Sequence, residues 1–131
     1  NIPDQRVDIH FRSPTDYWLY CVSCSVEPRL FVDFHADACV IIRDKKSLSN
    51  LLHKMTKEVL QKSKMGEGLA TYIDPLLPRT TNIFLPLAKD FRYSYQDEYR
   101  FYWIPSEPCK KLDYIDIKIG SIKQIAELIV L

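Results

Sequence analysis

The sequence predicts an α+β domain with mixed, mostly antiparallel small sheets, about six short strands, one long helix and one short helix. Residues 16–26 are rich in aromatic and β-branched side chains, which is typical of a buried strand. Residues 44–64 place leucine, methionine and valine at helical spacing. Residues 112–119 alternate strictly between apolar and polar side chains, which indicates a strand with one wet face.

The long helix is the best defined of these predicted elements. Asp44 or Ser47 is placed to cap its start, and Gly66 and Gly68 to end it. A second, shorter helix is expected after Ser121, which would cap it. The predicted strands lie at 16–26, 30–34, 37–43, 69–74, 91–104 and 112–119, with a short one at Ile83–Leu85 inside a proline-rich loop. The "EPR" segment at 27–29 is expected to break the first strand, and 30–34 and 37–43 could be one bent strand. Residues 91–104 form either one long strand or two strands that meet at a turn near Gln96 and Asp97.

The chain length sets the domain count. With 131 residues the protein can bury one hydrophobic core, so we expect a single domain over 1–131. The sequence begins with Asn1 and not with methionine, so we expect either a processed product or the C-terminal part of a longer protein.

Composition excludes several common classes of protein. Only three glycines are present, and no glycine-rich phosphate-binding loop can be found. A net charge of +1 argues against a broad surface for duplex nucleic acid. No apolar run reaches the roughly 20 residues that span a bilayer, so we expect no membrane association. Four cysteines in mostly apolar surroundings indicate buried free thiols and a cytoplasmic location.

Cys21 and Cys24 form a C-x2-C pair, followed by His35 and Cys39, and this set of residue types can indicate a zinc site. Residues an odd number apart in a strand point to opposite faces, so the two thiols of this pair should not converge on one ion. We therefore expect no metal.

Two strands carry polar ladders that could face one cavity. Ser23 and Ser25 lie two residues apart, and so share one face of their strand. In 92–103, Gln96, Glu98 and Arg100 share one face. The opposite face of that strand carries Tyr99, Phe101 and Trp103. The polar ladders fit either a site in which Glu98 hydrogen-bonds a ribose hydroxyl or a Glu98–Arg100 ion pair on a water-facing sheet.

Longer stretches resemble a widespread family of uncharacterised bacterial proteins. The matching stretches run from Tyr17 onwards and read "YCVSCS", "DFHADACVIIRD", "YIDP", "AKDFRYSYQDEYRFYW" and "DYIDIKIGSIKQIAELI". Of these, "SYQDEYRF" is the most specific. The family pattern is a C-x-S strand, a lysine-containing run, a Y-x-x-E-x-E-Y-R-type strand and a final helix.

The two ladders also resemble the aromatic-S-x-S and [QE]-x-E motifs of mono-ADP-ribosyltransferases, which use NAD as substrate. This resemblance implies that Glu98 is the catalytic glutamate and that Gln96 positions the acceptor, a protein or a nucleic acid. It implies further that the NAD pocket is formed by Ser23, Ser25, Arg12, His10, Tyr99 and Arg100. Either Arg12 holds the NAD phosphates, or the strand that does so lies before Asn1. The expected role is a bacterial toxin or phage-defence effector, with a cognate antitoxin or immunity protein as a possible partner.

Two other classes of function stay open. The chain could be a non-catalytic protein-binding module of the immunity or antitoxin type, with Tyr99 and Trp103 as aromatic anchors. A metal-independent nuclease using His10, Arg12 and His35 is the third reading.

Overall fold

The computed structural model describes residues 12–74, 76 and 82–131, and it confirms the α+β class. Small sheets are combined with helices, and most strand pairs are antiparallel. The described elements, in chain order, are β1 (Trp18–Ser23), α1 (Pro28–Asp33), β2 (Ala38–Ile42), α2 (Lys45–Val59), β3 (Ser63–Leu69), β4 (Thr71–Ile73), a 3₁₀ helix (Leu85–Leu87), β5 (Ala88–Asp90), a second 3₁₀ helix (Phe91–Gln96), β6 (Glu98–Pro105) and β7 (Ala126–Val130).

The central sheet has the order β1-β6-β3 and is antiparallel throughout. Its middle strand, β6, contributes Phe101 and Trp103 to the core, where they meet Leu48 and Leu52 of α2. The Trp103 indole N–H donates to the hydroxyl of Thr56, 3.0 Å away, so the polar atom of this ring is satisfied inside the core. Trp103 is therefore a core residue and not the exposed anchor that the binding-module reading expected.

Helix α2 begins as predicted and ends earlier. The Asp44 carboxylate accepts a hydrogen bond from the backbone N–H of Ser47 at 3.0 Å, which caps the helix. The helix ends at Val59, and the predicted glycine stop is wrong because both glycines lie within β3. A Cβ on Gly66 would lie 2.1 Å from the Tyr102 hydroxyl, so this glycine is needed for the close approach of a ring across the sheet.

The predicted strand at 30–34 is wrong, because these residues begin in a helix. The Glu27 side chain accepts from the Arg29 backbone N–H, and Pro28 occupies the first turn, where its missing N–H costs nothing. Helix α1 therefore begins at the "EPR" segment that was expected only to break the preceding strand. None of the α1 residues is buried.

The proline-rich region and the run after it contain more turns than predicted. The 69–74 strand is divided between the end of β3 and β4, and Leu85–Leu87 forms a 3₁₀ helix where a short strand at Ile83–Leu85 was expected. The run 91–104 begins as a 3₁₀ helix, turns at Asp97 with φ 44°, and only then becomes β6. The turn predicted near Gln96 and Asp97 is confirmed, whereas a strand before it is not.

The C-terminal predictions are both wrong. Residues 112–119 form no strand, and no helix follows Ser121. Instead Ala126–Val130 forms β7, which pairs antiparallel with β2. The apolar and β-branched side chains of "LIV" suit a strand as well as a helix, and backbone hydrogen bonds to β2 decide between them.

The four cysteines are free thiols, but the expected burial is wrong. Cys21 and Cys24 are exposed, because β1 is an edge strand and the chain leaves the sheet after Ser23. Cys39 and Cys109 are half-buried. Among the described residues, no helix has the length and apolar character needed to cross a bilayer.

Candidate functional site

Glu98, at the start of β6, lies between two cations. One carboxylate oxygen is 2.6 Å from Lys89 Nζ on β5, and the other is 2.8 Å from Arg100 Nε. The side chains of Lys89, Glu98 and Arg100 are 21%, 12% and 8% exposed, so water screens these charges weakly. The Gln96 side-chain oxygen accepts from the same Lys89 ammonium. We call Lys89, Gln96, Glu98 and Arg100 the Glu98 cluster.

The two cations keep Glu98 ionised. Burial alone would raise the pKa of the Glu98 carboxyl, but the hydrogen bonds and charges of Lys89 and Arg100 outweigh it and leave the pKa below its ordinary value. Both carboxylate oxygens thus hold a cationic partner in the folded chain.

Arg100 also fixes the segment that carries Lys89. Its terminal nitrogen Nη1 donates to the backbone carbonyls of Pro86 and Ala88 at 3.1 and 3.0 Å. The guanidinium therefore joins β6 to the first 3₁₀ helix and to β5 with donors that fit several acceptors at once. This arrangement explains how a nearly buried arginine is accommodated: its charge is paired, and Nη1 and Nε both have acceptors.

Ser23 supports Glu98 only indirectly. The two residues face each other across the β1–β6 pair, but the Ser23 hydroxyl donates to the backbone carbonyl of Gln96 at 2.6 Å and not to the carboxylate. The Glu98 backbone N–H in turn donates to the Tyr72 hydroxyl at 2.8 Å. Ser25 lies beyond the end of β1, so the predicted continuous S-x-S ladder is wrong and ends at Ser23.

The predicted division of β6 into a polar and an aromatic face holds for the residues within the strand. Glu98 and Arg100 lie on one face, and Phe101 and Trp103 on the other, against α2. Gln96 precedes the strand in the second 3₁₀ helix, but its side chain still reaches Lys89.

An open cleft of about 640 Å³ lies between β1, α1 and β2, on the α2 side of the sheet. We call it the apolar cleft. Its principal apolar lining residues are Val22, Leu30, Phe34, Val40, Ile42 and Tyr99. Ser23 and Ser25 line it too, so three predicted pocket residues (the two serines and Tyr99) meet here. Glu98 and Gln96 are not among the lining residues.

The charged groups of the apolar cleft are already engaged. Glu27 caps α1 by accepting from the Arg29 backbone N–H. The Lys45 ammonium stands 4.0 Å from the centre of the Tyr99 ring, and its contact with the Tyr99 side chain raises the pKa of this lysine. Although Cys21 and Cys24 are exposed overall, desolvation by the surrounding protein atoms raises the pKa of both thiols, so both are poorer nucleophiles than an ordinary cysteine.

Polar contacts to Tyr95 hold helix α1, which forms one wall of the cleft. The Tyr95 hydroxyl donates to the Asp33 carboxylate, and the Arg29 guanidinium stacks over the Tyr95 ring at 3.9 Å. Arg29 and Asp33 also form an ion pair at 3.3 Å. This wall is attached through exposed groups, since α1 buries no side chain of its own.

The predicted phosphate-binding residues do not join the Glu98 cluster. Arg12 lines a separate open groove of about 670 Å³ with Tyr17, Trp18 and Lys110. Neither Ser23 nor Glu98 lines this groove. His10 lies outside the described residues. In the described part of the chain, no three His, Cys, Asp or Glu side chains lie close enough together to hold a metal ion.

Sequence reasoning missed two members of the site, Lys89 and Tyr72. Both come from the pair β4–β5, which is parallel and joins short segments on either side of the proline-rich region. Lys89 sat within the lysine-containing run of the resemblance, but no spacing rule places a residue of a separate three-residue strand beside Glu98.

Comparison with protein-family models, with curated proteins and with solved structures finds no match for this chain.

Proposed function

We propose that this chain is a non-catalytic protein-binding module and that the apolar cleft is its contact surface. The observation that carries the proposal is an open cleft with large apolar side chains left exposed at its walls. Tyr20, Val26, Phe34 and Val40 are 44%, 66%, 64% and 54% exposed. An exposed apolar concentration of this kind is typical of a protein–protein contact site. An immunity protein or antitoxin acts by such contact.

The polar groups at the cleft support the same proposal. A small ligand is usually oriented by a few convergent, free polar groups. Here the Ser23 hydroxyl bonds the Gln96 carbonyl, and Glu27 and Lys45 are engaged within the chain. Apolar contact over a wide surface therefore fits the cleft better than tight capture of a polar metabolite.

A matched pair of substitutions tests this proposal. Phe34, the residue that follows α1, lines the cleft, whereas Val32 within α1 is 71% exposed and does not line it. The wild-type protein serves as bait in a lysate of cells that carry the gene, and each captured protein is purified and titrated against it. We expect Phe34→Glu to weaken binding at least about tenfold and Val32→Glu to leave it unchanged, because only the first places a charge in the interface. Equal affinity of both variants for every captured protein would reject the cleft as the contact surface.

NAD-dependent ADP-ribosyl transfer is our second proposal. Its specific support is that Glu98 is kept ionised while Gln96 shares its lysine, since an ionised carboxylate can stabilise positive charge developing on a ribose. To grip a ribose, Glu98 would have to exchange at least part of its contact with Lys89 or Arg100.

Labelled NAD tests the second proposal directly. The protein is incubated with NAD and with protein or nucleic-acid acceptors, alongside Glu98→Gln and, as control, Glu107→Gln in an exposed loop. Label transfer by wild type and control, lost by at least about a hundredfold in Glu98→Gln, is expected for a catalytic glutamate. A folded Glu98→Gln variant as active as wild type, or a wild type that transfers no label, would reject it.

A further inference from the structure

The free edge of β1 gives the apolar cleft a specific mode of binding. Among residues 12–74, 76 and 82–131, β1 pairs with β6 alone, so it is an edge strand of the described sheet. Antiparallel pairs alternate between residues that exchange backbone hydrogen bonds with the partner strand and residues whose N–H and C=O point away. Knowing which residues of β1 point away identifies the groups that remain available to a ligand.

One hydrogen bond sets this alternation. The Cys24 backbone N–H donates to the Asp97 carbonyl at 2.7 Å, one position beyond the end of the β1–β6 ladder. Hydrogen-bonded positions therefore continue at every second residue, which are Val22, Tyr20 and Trp18. The backbone groups of the residues between them point away from β6.

The outward residues are Leu19, Cys21 and Ser23. In the described part of the chain no backbone N–H or C=O of these three has a hydrogen-bond partner. The cleft is lined by every consecutive residue from Tyr20 to Val26, whereas a strand that presented one face would contribute alternate residues only. Consecutive lining indicates that the edge of β1, with its free backbone groups, faces the cleft.

The opposite wall also ends in an edge. The Arg43 N–H bonds the Ile125 carbonyl and the Leu131 N–H bonds the Asp37 carbonyl, which places alternate residues of β2 toward β7. The outward residues are then Ala38, Val40 and Ile42, all of which line the cleft. Two rows of backbone groups, unpaired within the part of the chain that the structure describes, thus border one apolar space.

We infer that the apolar cleft binds an extended segment of a partner protein, which adds as a new strand to the free edge of β1. This inference rests on the proposed binding function and names the form of the partner. Only an extended polypeptide supplies donors and acceptors in the repeat that an edge strand requires. The four residues of β1 that line the cleft, Tyr20–Ser23, span about 13 Å, enough to pair a segment of about four residues.

The charge of the cleft lining indicates which side chains the bound segment can carry. The lining carries two charged side chains of opposite sign, Glu27 and Lys45, so the cleft has no net charge to attract a charged segment. A ligand charge buried against the apolar lining would lack a partner. The segment that fits is therefore uncharged and apolar at the side chains that contact Val40 and Phe34.

The test begins with linear peptides as probes. A displayed library of random dodecapeptides is selected on the full chain, with Phe34→Glu as the counter-selection bait. The tightest peptide is then resynthesised with single backbone N-methyl groups at successive positions. We expect affinity to fall about tenfold or more at every second position and to change little between them, because only alternate peptide N–H groups face β1.

Amide hydrogen exchange supplies the second measurement. Peptide binding should slow exchange at least tenfold at Cys21 and Ser23, whose outward backbone groups lie at the cleft, and leave Tyr20 and Val22, already bonded to β6, unchanged. A peptide that is blocked by Phe34→Glu but shows neither the N-methyl alternation nor this protection would overturn strand addition and leave the binding function standing. A library that yields no binder sensitive to Phe34→Glu would also overturn strand addition. The binding function is rejected separately, if Phe34→Glu and Val32→Glu bind every captured protein with equal affinity. A homodimer that occupies the β1 edge at micromolar concentration would also overturn strand addition by a partner.

Discussion

At the scale of the residue, one carboxylate determines how three segments of the chain meet. Glu98 is bonded to Lys89 on β5 and to Arg100 on β6, and Arg100 continues to the carbonyls of Pro86 and Ala88. Removing the carboxylate leaves two nearly buried cations without a counter-charge, and this costs far more than loss of a surface ion pair.

We therefore expect Glu98→Gln to lower the free energy of unfolding at pH 7 by about 3 kcal/mol. The control is Glu127→Gln, which breaks the exposed Arg43–Glu127 pair and should cost under about 1 kcal/mol. Urea denaturation followed by circular dichroism measures both. Similar losses in the two variants would show that the Glu98 cluster is no more important to stability than a surface pair.

The Glu98 carboxylate makes the free energy of unfolding depend on pH, and the direction of the change follows from its lowered pKa. Folding lowers the pKa of the Glu98 carboxyl, so its contribution to the free energy of unfolding is fully present above the unfolded-state pKa of about 4.3. This contribution is lost as the pH falls through the folded-state pKa. The difference in unfolding free energy between wild type and Glu98→Gln should be constant from pH 7 to about 5 and shrink below about pH 4. A constant difference down to pH 3 would contradict this assignment.

At the scale of the element, the C-terminus shows why strand pairing can override local pattern. Ile129 pairs with Cys39, and the ladder alternation places the Ile129 N–H toward β2. Its neighbour Leu128, opposite Val40, directs its N–H away from β2.

Proline substitutions at Leu128 and Ile129 distinguish a C-terminal strand from a C-terminal helix. We expect Ile129→Pro to lower the unfolding free energy by about 1–3 kcal/mol more than Leu128→Pro, because only the first removes a donor of the β2–β7 ladder. Urea denaturation of the two variants provides the comparison. Equal losses would be expected of a C-terminal helix, in which both N–H groups are bonded within the chain, and would contradict the observed pairing.

Elements defined by local chemistry were the ones that the sequence could predict. The Asp44 cap and the periodic leucines predicted α2, and alternation predicted which face of β6 is aromatic. Helix α1 was missed because its capping signal, Glu27 followed by Pro28, was interpreted as a strand terminator. Lys89 could not be found at all, since its place beside Glu98 depends on the β4–β5 pair.

At the scale of the whole molecule, noncovalent contacts alone stabilise the described fold. All four cysteines are free thiols, and the core cluster is formed by α2 and the central sheet. We expect the urea midpoint to be the same with and without reductant, since no disulfide constrains the unfolded chain. A lower midpoint in reductant would reveal a cross-link that the folded chain does not contain.

The Tyr102 ring over Gly66 has a spectroscopic consequence. The hydroxyl and ring atoms of Tyr102 lie 2.1–2.5 Å from the point where a Cβ would be, so one Hα of Gly66 faces the ring. Protons above an aromatic ring are magnetically shielded, and this glycine should give an Hα resonance well upfield of its usual position. That single signal reports an intact β3–β6 pair without any ligand. If Glu98→Gln or Phe34→Glu keeps the shifted resonance, the variant is folded and has lost only the contacts of the replaced side chain.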